Sequence, residues 1–189
     1  MTNNIKQRQR LNTKALKALP WSGGFTLIET LIAVLLLATA IAGPLTIASK
    51  SLTTALVAKD QIIAYYLAQD AIEYVRFKRD SNRLAGVGWL TGLDGPDGSS
   101  GCLAVEGCNV DSVAATVTAC SSACTAIKFN TTSNTYNSTG TMAPAFTRTI
   151  KMNLKTIDEV LLTVTVTWSD VGSVVHKITA KESLFNWQL

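Results

Sequence analysis

The alternation of apolar and polar positions changes character twice along this 189-residue chain. From Phe25 to Ala48 nearly every side chain is apolar, and Glu29 is the one ionisable group. A helix of roughly 24 residues rises about 36 Å at ~1.5 Å per residue, enough to cross a hydrocarbon core ~30 Å thick. Beyond Lys50 the pattern turns amphipathic. Leu56, Ile63, Leu67, Ala71 and Tyr74 recur on one helical stripe, while Lys59, Asp60, Asp70, Glu73 and Arg76 fall mostly elsewhere. The spacing predicts helix from Phe25 to about Arg79, with the stripe packed on a small domain's sheet. Gly43-Pro44 interrupts it. Proline removes a backbone hydrogen bond and clashes with the preceding turn, so a kink or local melting is expected there. It is not expected to end the helix, because the pattern resumes at once.

Downstream the period shortens. Residues 80–101 are dense in glycine, with turn dipeptides Asp94-Gly95 and Asp97-Gly98, and read as loop with room for one short strand. Residues 102–124 show no dominant period. Residues 125–130 and 135–137 flank a polar turn at 131–134 and predict a hairpin. Residues 146–155 alternate, with Ile150, Met152 and Leu154 on one face. Residues 160–168 alternate and are β-branched, and residues 173–184 follow after a short turn at 170–173, so these last two strands should pair antiparallel. The fold class is α+β, a long N-terminal transmembrane and amphipathic helix packed on a C-terminal antiparallel sheet. The expected parts are a basic leader (1–24), a transmembrane and assembly helix (25–48), an amphipathic continuation (49–80) and a globular head (81–189).

Charge sharpens this picture. The leader carries Lys6, Arg8, Arg10, Lys14 and Lys17 and no acid, so of the formal total of +4 the residues after Gly24 contribute −1. The basic pI belongs to the leader, and a bound nucleic acid is not expected on charge grounds. In a secretory signal peptide the small-residue cleavage site follows the apolar stretch. Here Ser22-Gly23-Gly24 precedes it, so a cut there leaves the helix attached. Positive charge on the N-terminal side predicts a cytoplasmic leader and a head outside the cytoplasm. Cys102, Cys108, Cys120 and Cys124 lie in one window, and an even count outside the cytoplasm suggests disulfides. Four cysteines allow three pairings, of which the local one, Cys102–Cys108 with Cys120–Cys124, is favoured. Neither spacing is that of a zinc site, and the single histidine, His176, is distant in sequence.

Glu29 is the chemical problem of the chain. An acid at a helix centre in lipid costs about 2.5–3.5 kcal/mol even on the lenient scale. A cut before Phe25 would create an α-ammonium beside the bilayer. Within one helix the amine and the carboxylate are poorly placed to meet. Between neighbouring helices they can pair, and removing one partner of a buried pair leaves a charge costing about 3–5 kcal/mol. The plainer alternative is an acid that snorkels to the headgroups.

The segment Gly24-Phe25-Thr26-Leu27-Ile28-Glu29 resembles the N-terminal cleavage and methylation signal of type IV prepilins and pseudopilins, most nearly of minor pilins. The resemblance covers the leader, the helix and the helix-then-sheet order, and only the signal is specific. It implies that a prepilin peptidase cuts after Gly24 and that the new amine of Phe25 is methylated. It implies that Glu29 is the family's acidic assembly residue, and that the partners are other pilin or pseudopilin subunits and the cytoplasmic membrane. Gly43-Pro44 resembles the helix break of many such subunits, and residues 67–76 look like their post-membrane helix. The long cysteine-bearing loop suits a minor pilin or pseudopilin better than a major one.

Catalysis finds little support. His176 reads as a surface or edge residue; Trp89, Trp168 and Trp187 read as core or edge aromatics; no nucleophile elbow, phosphate loop or ligand-spaced carboxylate cluster is present. Glu73 and Arg76 could pair at i,i+3. Asn130-Thr131-Thr132 and Asn137-Ser138-Thr139 match the short glycosylation acceptor pattern. The expected function is a non-enzymatic structural subunit without cofactor. It spans the membrane once before assembly and then lies in a cell-surface or periplasmic filament. The alternative is a filament- or membrane-carried binding module for adhesion or DNA uptake.

Overall fold

The computed structural model describes residues 23–95, 101–170 and 172–186. The expectations placed on the leader before Gly23, on Asp97-Gly98 and on Trp187 fall outside them. Among the described residues a single α-helix, α1 (Leu27–Leu84), runs for 58 residues. It passes through Pro44 without a break and extends beyond the expected end near Arg79, closing with Arg83 in its last turn, where a cation complements the helix dipole. Two compact units divide between Ala48 and Ser49. The amphipathic part of α1 therefore belongs to the head rather than forming a segment apart from it.

In the first unit every described residue, from Gly23 to Ala48, is exposed. The second unit holds the sheet: β1 (Cys108–Asp111), β2 (Thr116–Ala119), β3 (Ala126–Asn130), β4 (Thr135–Asn137), β5 (Met142–Thr156), β6 (Glu159–Ser169) and β7 (Val175–Phe185). A short 3-10 turn, Gly101–Leu103, precedes β1. The 131–134 hairpin is present as β3–β4, and β6 and β7 pair antiparallel over their whole length. Residues 85–95 form turns rather than a strand. Asn82, buried at the end of α1, holds that loop by donating from its amide to the carbonyls of Trp89 (3.2 Å) and Thr91 (2.8 Å).

The sheet forks at β5. One edge of β5 pairs continuously with β6. The other edge is divided, with its first half on β3 (Ala126↔Thr147, Ile127↔Phe146) and Ile150 on Cys108 of β1. Gly107 makes the second junction possible. Its φ is +78°, and a Cβ there would run into the carbonyl of Ile150. The two arms, β1–β2 and β3–β4, thus diverge around residues 147–150.

One face of β5–β6–β7 is apolar. Phe146, Ile150, Met152, Val160, Leu162, Val164, Val166, Trp168 and Leu184 are buried, and Ala64, Leu67, Ala68, Ala71, Tyr74 and Val75 of α1 close over them. The stripe is set further along than its first residues suggested, because Leu56 is 45% exposed and the packing begins near Ile63. Leu154 is also exposed, although Val160 and Leu184 in the same cross-strand row are buried. Cross-strand neighbours Arg148↔Val166↔Ile178 and Ile150↔Val164↔Ala180 keep that face in register. The opposite face carries threonine and lysine, a half-solvated antiparallel pattern.

Arg148 breaks the apolar face. It occupies the inward parity between Phe146 and Ile150 and is 2% exposed. Its guanidinium donates to the carbonyl of Leu67 (2.9 Å) and the carboxylate of Asp70 (2.7 Å) on α1, to Asn109 Oδ1 (3.2 Å) and to the carbonyl of Val110 on β1. One side chain from β5 therefore fastens the helix and the β1 arm together. Replacing it with an uncharged side chain orphans two carbonyls and the Asn109 side-chain oxygen, and leaves the partly exposed Asp70 carboxylate unpaired. We expect Arg148→Met to destabilise the head by about 3–5 kcal/mol, and Arg148→Met with Asp70→Leu to recover part of the loss. Denaturant unfolding of the detergent-solubilised chain measures both; a single variant within about 1 kcal/mol of wild type contradicts the assignment.

Candidate functional site

Residues Gly24 to Glu29 lie at the start of α1. Gly24 and Phe25 precede the helix in non-helical backbone, and the Phe25 ring is 80% exposed. Thr26 stands at the N-cap, where its hydroxyl accepts a hydrogen bond from the Glu29 backbone N–H at 3.3 Å. Thr26-x-x-Glu29 is thus the sequence of a capping box. The carboxylate also lies in the first turn, where the helix dipole favours negative charge. This local role is a reading that the spacing of Thr26 and Glu29 could have supplied and did not.

The threonines of the apolar segment are satisfied inside the helix. Thr30 donates to the Leu27 carbonyl (2.9 Å), Thr39 to Leu36 (3.0 Å) and Leu35 (3.1 Å), and Thr46 to Ala42 (2.6 Å). Such back-bonding lets hydroxyls enter an apolar medium at little cost. Of the side chains of 25–48, the Glu29 carboxylate is the polar group left without a partner among the described residues. An 18-residue window of α1 has mean hydropathy 2.3 and none of it is buried, so one helix is long and apolar enough to cross a membrane. Gly43 has open space around it, and Pro44 leaves the Ala40 carbonyl without its usual N–H donor.

The cysteines pair locally, Cys102–Cys108 and Cys120–Cys124. The first bridge is buried and joins the 3-10 turn to β1; the second closes the step from β2 toward β3. His176 lies on β7, half-buried, stacked on Trp168 with centroids 5.3 Å apart and hydrogen-bonded through Nε2 to Asp170 (3.2 Å). Trp168 is a core residue and Trp89 packs at its edge. Arg76 does not pair with Glu73. It bonds Glu182 of β7 at 2.7 Å, while Glu73 accepts from Gln69 at 2.9 Å. The two Asn-x-Thr sequences serve turns. Asn130 Oδ1 accepts from the N–H groups of Thr132 and Ser133, and Asn137 Oδ1 from Thr139.

Two further features were hidden in the sequence. Arg148 is one. The other is a set of cations on the outer sheet face. Lys151, Lys177 and Lys181 are exposed, and Lys151 and Lys181 flank Thr163 in one cross-strand row. None of the three has an ion pair among the described residues. Glu159 shares this face and accepts from Ser183 at 3.0 Å. No group of three or more His, Cys, Asp or Glu able to hold a metal occurs among the described residues. No family model, curated protein or solved structure matches this chain.

Asp170 anchors the β6–β7 turn. Its Oδ1 accepts from the N–H of Gly172 and of Val174, both at 2.9 Å. The hydrogen bond from His176 holds its carboxyl below the ordinary carboxylate range, and those of Val174 and Gly172 add to the effect. A depressed folded-state pKa contributes stability above the unfolded value near ~3.9 and loses it as pH falls through the folded value. Protection of the Val174 amide against exchange is expected to weaken in acid below about pH 4, relative to β5–β6 amides. In Asp170→Asn that relative protection should be low and flat with pH. Constant protection in the parent protein across the same range contradicts it.

Proposed function

We propose that this chain is a structural subunit, a minor pilin or pseudopilin, of a type IV pilus-like or type II secretion filament. In this reading a prepilin peptidase removes the leader after Gly24, the new Phe25 amine is methylated, and the subunit waits as a single-pass membrane protein with its head outside the cytoplasm. Assembly then transfers the helix from bilayer to filament. The chain performs no catalysis and holds no cofactor.

The observation that carries the proposal is the isolation of Glu29. Thr30, Thr39 and Thr46 satisfy their hydroxyls internally, whereas its carboxylate has no intrachain partner in the apolar segment. A neighbouring subunit's freshly cut amine supplies a charge of opposite sign at the matching depth. Capping explains why Glu29 is tolerated at the helix start; pairing explains why an acid rather than a neutral cap stands there. Within the apolar segment, Gly43-Pro44 supplies the weakest hydrogen-bonded turn of α1.

Intact-mass and N-terminal analysis of membrane-extracted protein tests the processing step. The expected chain begins at methylated Phe25, and a mature chain retaining Met1 refutes the proposal. Glu29→Ala is expected to be cut normally yet to be lost from filaments when wild-type subunits compete. Glu29→Gln keeps a capping side chain without the charge and should fail in the same way. Its normal incorporation would leave capping as the whole role of the residue.

A second reading rests on the lysine face: a filament-carried module whose sheet takes an acidic partner. Lys151→Gln, Lys177→Gln and Lys181→Gln together should then leave incorporation intact while abolishing salt-sensitive retention on heparin. Unchanged retention removes this reading.

A further inference from the structure

The fork of the sheet encloses a cleft of about 280 Å³, open to solvent and lying wholly within the head. Its size falls just below that of drug-sized ligand sites, which span roughly 300–1,000 Å³, and suits a smaller ligand. Asn109, Asp111 and Thr118 line one side, Thr125 and Tyr136 the other, and Arg148 contributes to the lining at the fork. From this we propose that the cleft is a binding site for a single neutral sugar residue. The inference goes beyond the filament reading and does not depend on it.

The chemistry of the lining selects the ligand class. Arg148 would suit an anion, but four of its five N–H donors are already committed to Leu67, Asp70, Asn109 and Val110. Its charge is matched by Asp70 at 2.7 Å. The unmatched charge in the cleft is instead the Asp111 carboxylate, which repels anions. A metal cation lacks a ligand cluster among the described residues. What remains is a set of groups suited to hydroxyls.

Asp111 is held by the N–H groups of Val113 (3.0 Å) and Ala114 (2.9 Å), both on Oδ1, which leaves Oδ2 to accept. Asn109 is oriented by Arg148 through its Oδ1, which leaves its amide N–H groups to donate. A carboxylate and an amide, each planar and each fixed through one atom, can accept from and donate to adjacent hydroxyls of a pyranose. Thr118 and Thr125 add hydroxyls with no protein partner among the described residues. Tyr136 supplies an amphipathic ring, set edge-on between Phe129 (5.3 Å) and Phe146 (5.7 Å), on which the C–H face of a sugar can rest. Burial raises the pKa of its phenol, and Asp60 adds to the shift, so the hydroxyl stays protonated as a donor.

The wall is pre-organised covalently. The Cys120–Cys124 bridge closes the segment bordering the cleft, and Cys120 N–H donates to the Gly107 carbonyl at 2.9 Å. Restricting a binding loop beforehand lowers the ordering cost of binding.

The test is saturation-transfer NMR and calorimetry on the full chain, solubilised in a detergent without a sugar headgroup. The probes are methyl glycosides of glucose, galactose, mannose and N-acetylglucosamine, with glucuronic acid as the charged comparison. At least one neutral glycoside is expected to bind with a dissociation constant of about 10 mM or tighter and to exceed glucuronic acid. Thr118→Trp, which fills the cleft without removing a hydrogen bond described here, should weaken that binding at least about tenfold. Tyr136→Leu should do the same, with an unchanged far-ultraviolet spectrum and unfolding midpoint certifying the fold of each. No binding by any neutral glycoside, equal or better binding of glucuronic acid, or binding indifferent to both folded variants overturns the inference.

Discussion

Arg148 brings a full charge into the interior of the head, and the architecture turns on how that charge is satisfied. Desolvating a guanidinium costs several kcal/mol, and one ion pair does not by itself recover this. The remaining donors must also find acceptors. They do so only where a carbonyl of α1, a carboxylate of α1, an amide of β1 and a carbonyl of β1 converge. This convergence sets the depth and rotation of residues 64–75 of the helix against the sheet. It also fixes the β1 arm at the fork, where β5 pairs with Cys108 through the single position Ile150. Apolar packing alone would tolerate small slides of helix over sheet; a multidentate guanidinium does not.

The same polar logic runs in reverse at the other end of the chain. In residues 25–48 the polar side chains are satisfied within the helix except for the Glu29 carboxylate. In the head the equivalent exception, Arg148, finds its partners at long range within the fold. In the apolar helix no such fold surrounds the charge, and the complement proposed for it lies on another molecule. One interior charge thus organises a subunit, and the proposed role of the other is to organise an assembly. The insertion between helix and long strands has a different character. Two disulfides, a 3-10 turn and two short arms hold polar groups apart around an open cleft.

Much of the fold was legible before any coordinates. Strict alternation over residues 146–155 and 160–168 announced β5 and β6, and a β-turn-length gap announced the β6–β7 pairing. The hairpin at 131–134 was equally plain, and short sequence separations favoured the observed disulfides. Burial along α1 was less legible, because an apolar stripe states which face packs but not where packing begins. Arg148 was passed over for a definite reason. Its parity matched Ile150 and Met152, but an isolated arginine in a strand is ordinarily solvent-facing, and nothing local showed the acceptors waiting 38 to 81 residues away. The lysine face escaped notice similarly, because Lys151 and Lys181 are far apart in sequence and meet only through β6.

The sequence by itself determined the periodic elements, the apolar segment long enough for a membrane, and the unusual acid within it. These properties are encoded by neighbours a few positions apart, which share a strand or a helical face whatever the rest of the chain does. The tertiary structure decided what the periods could not: the forked connectivity of β5, the commitment of Arg148 to both α1 and β1, the choice of Glu182 over Glu73 by Arg76, and the cleft between the arms. Each depends on distances between residues many tens of positions apart. Such distances exist only once the chain has closed on itself, where the low-dielectric interior makes every unpaired polar group costly and so selects one arrangement.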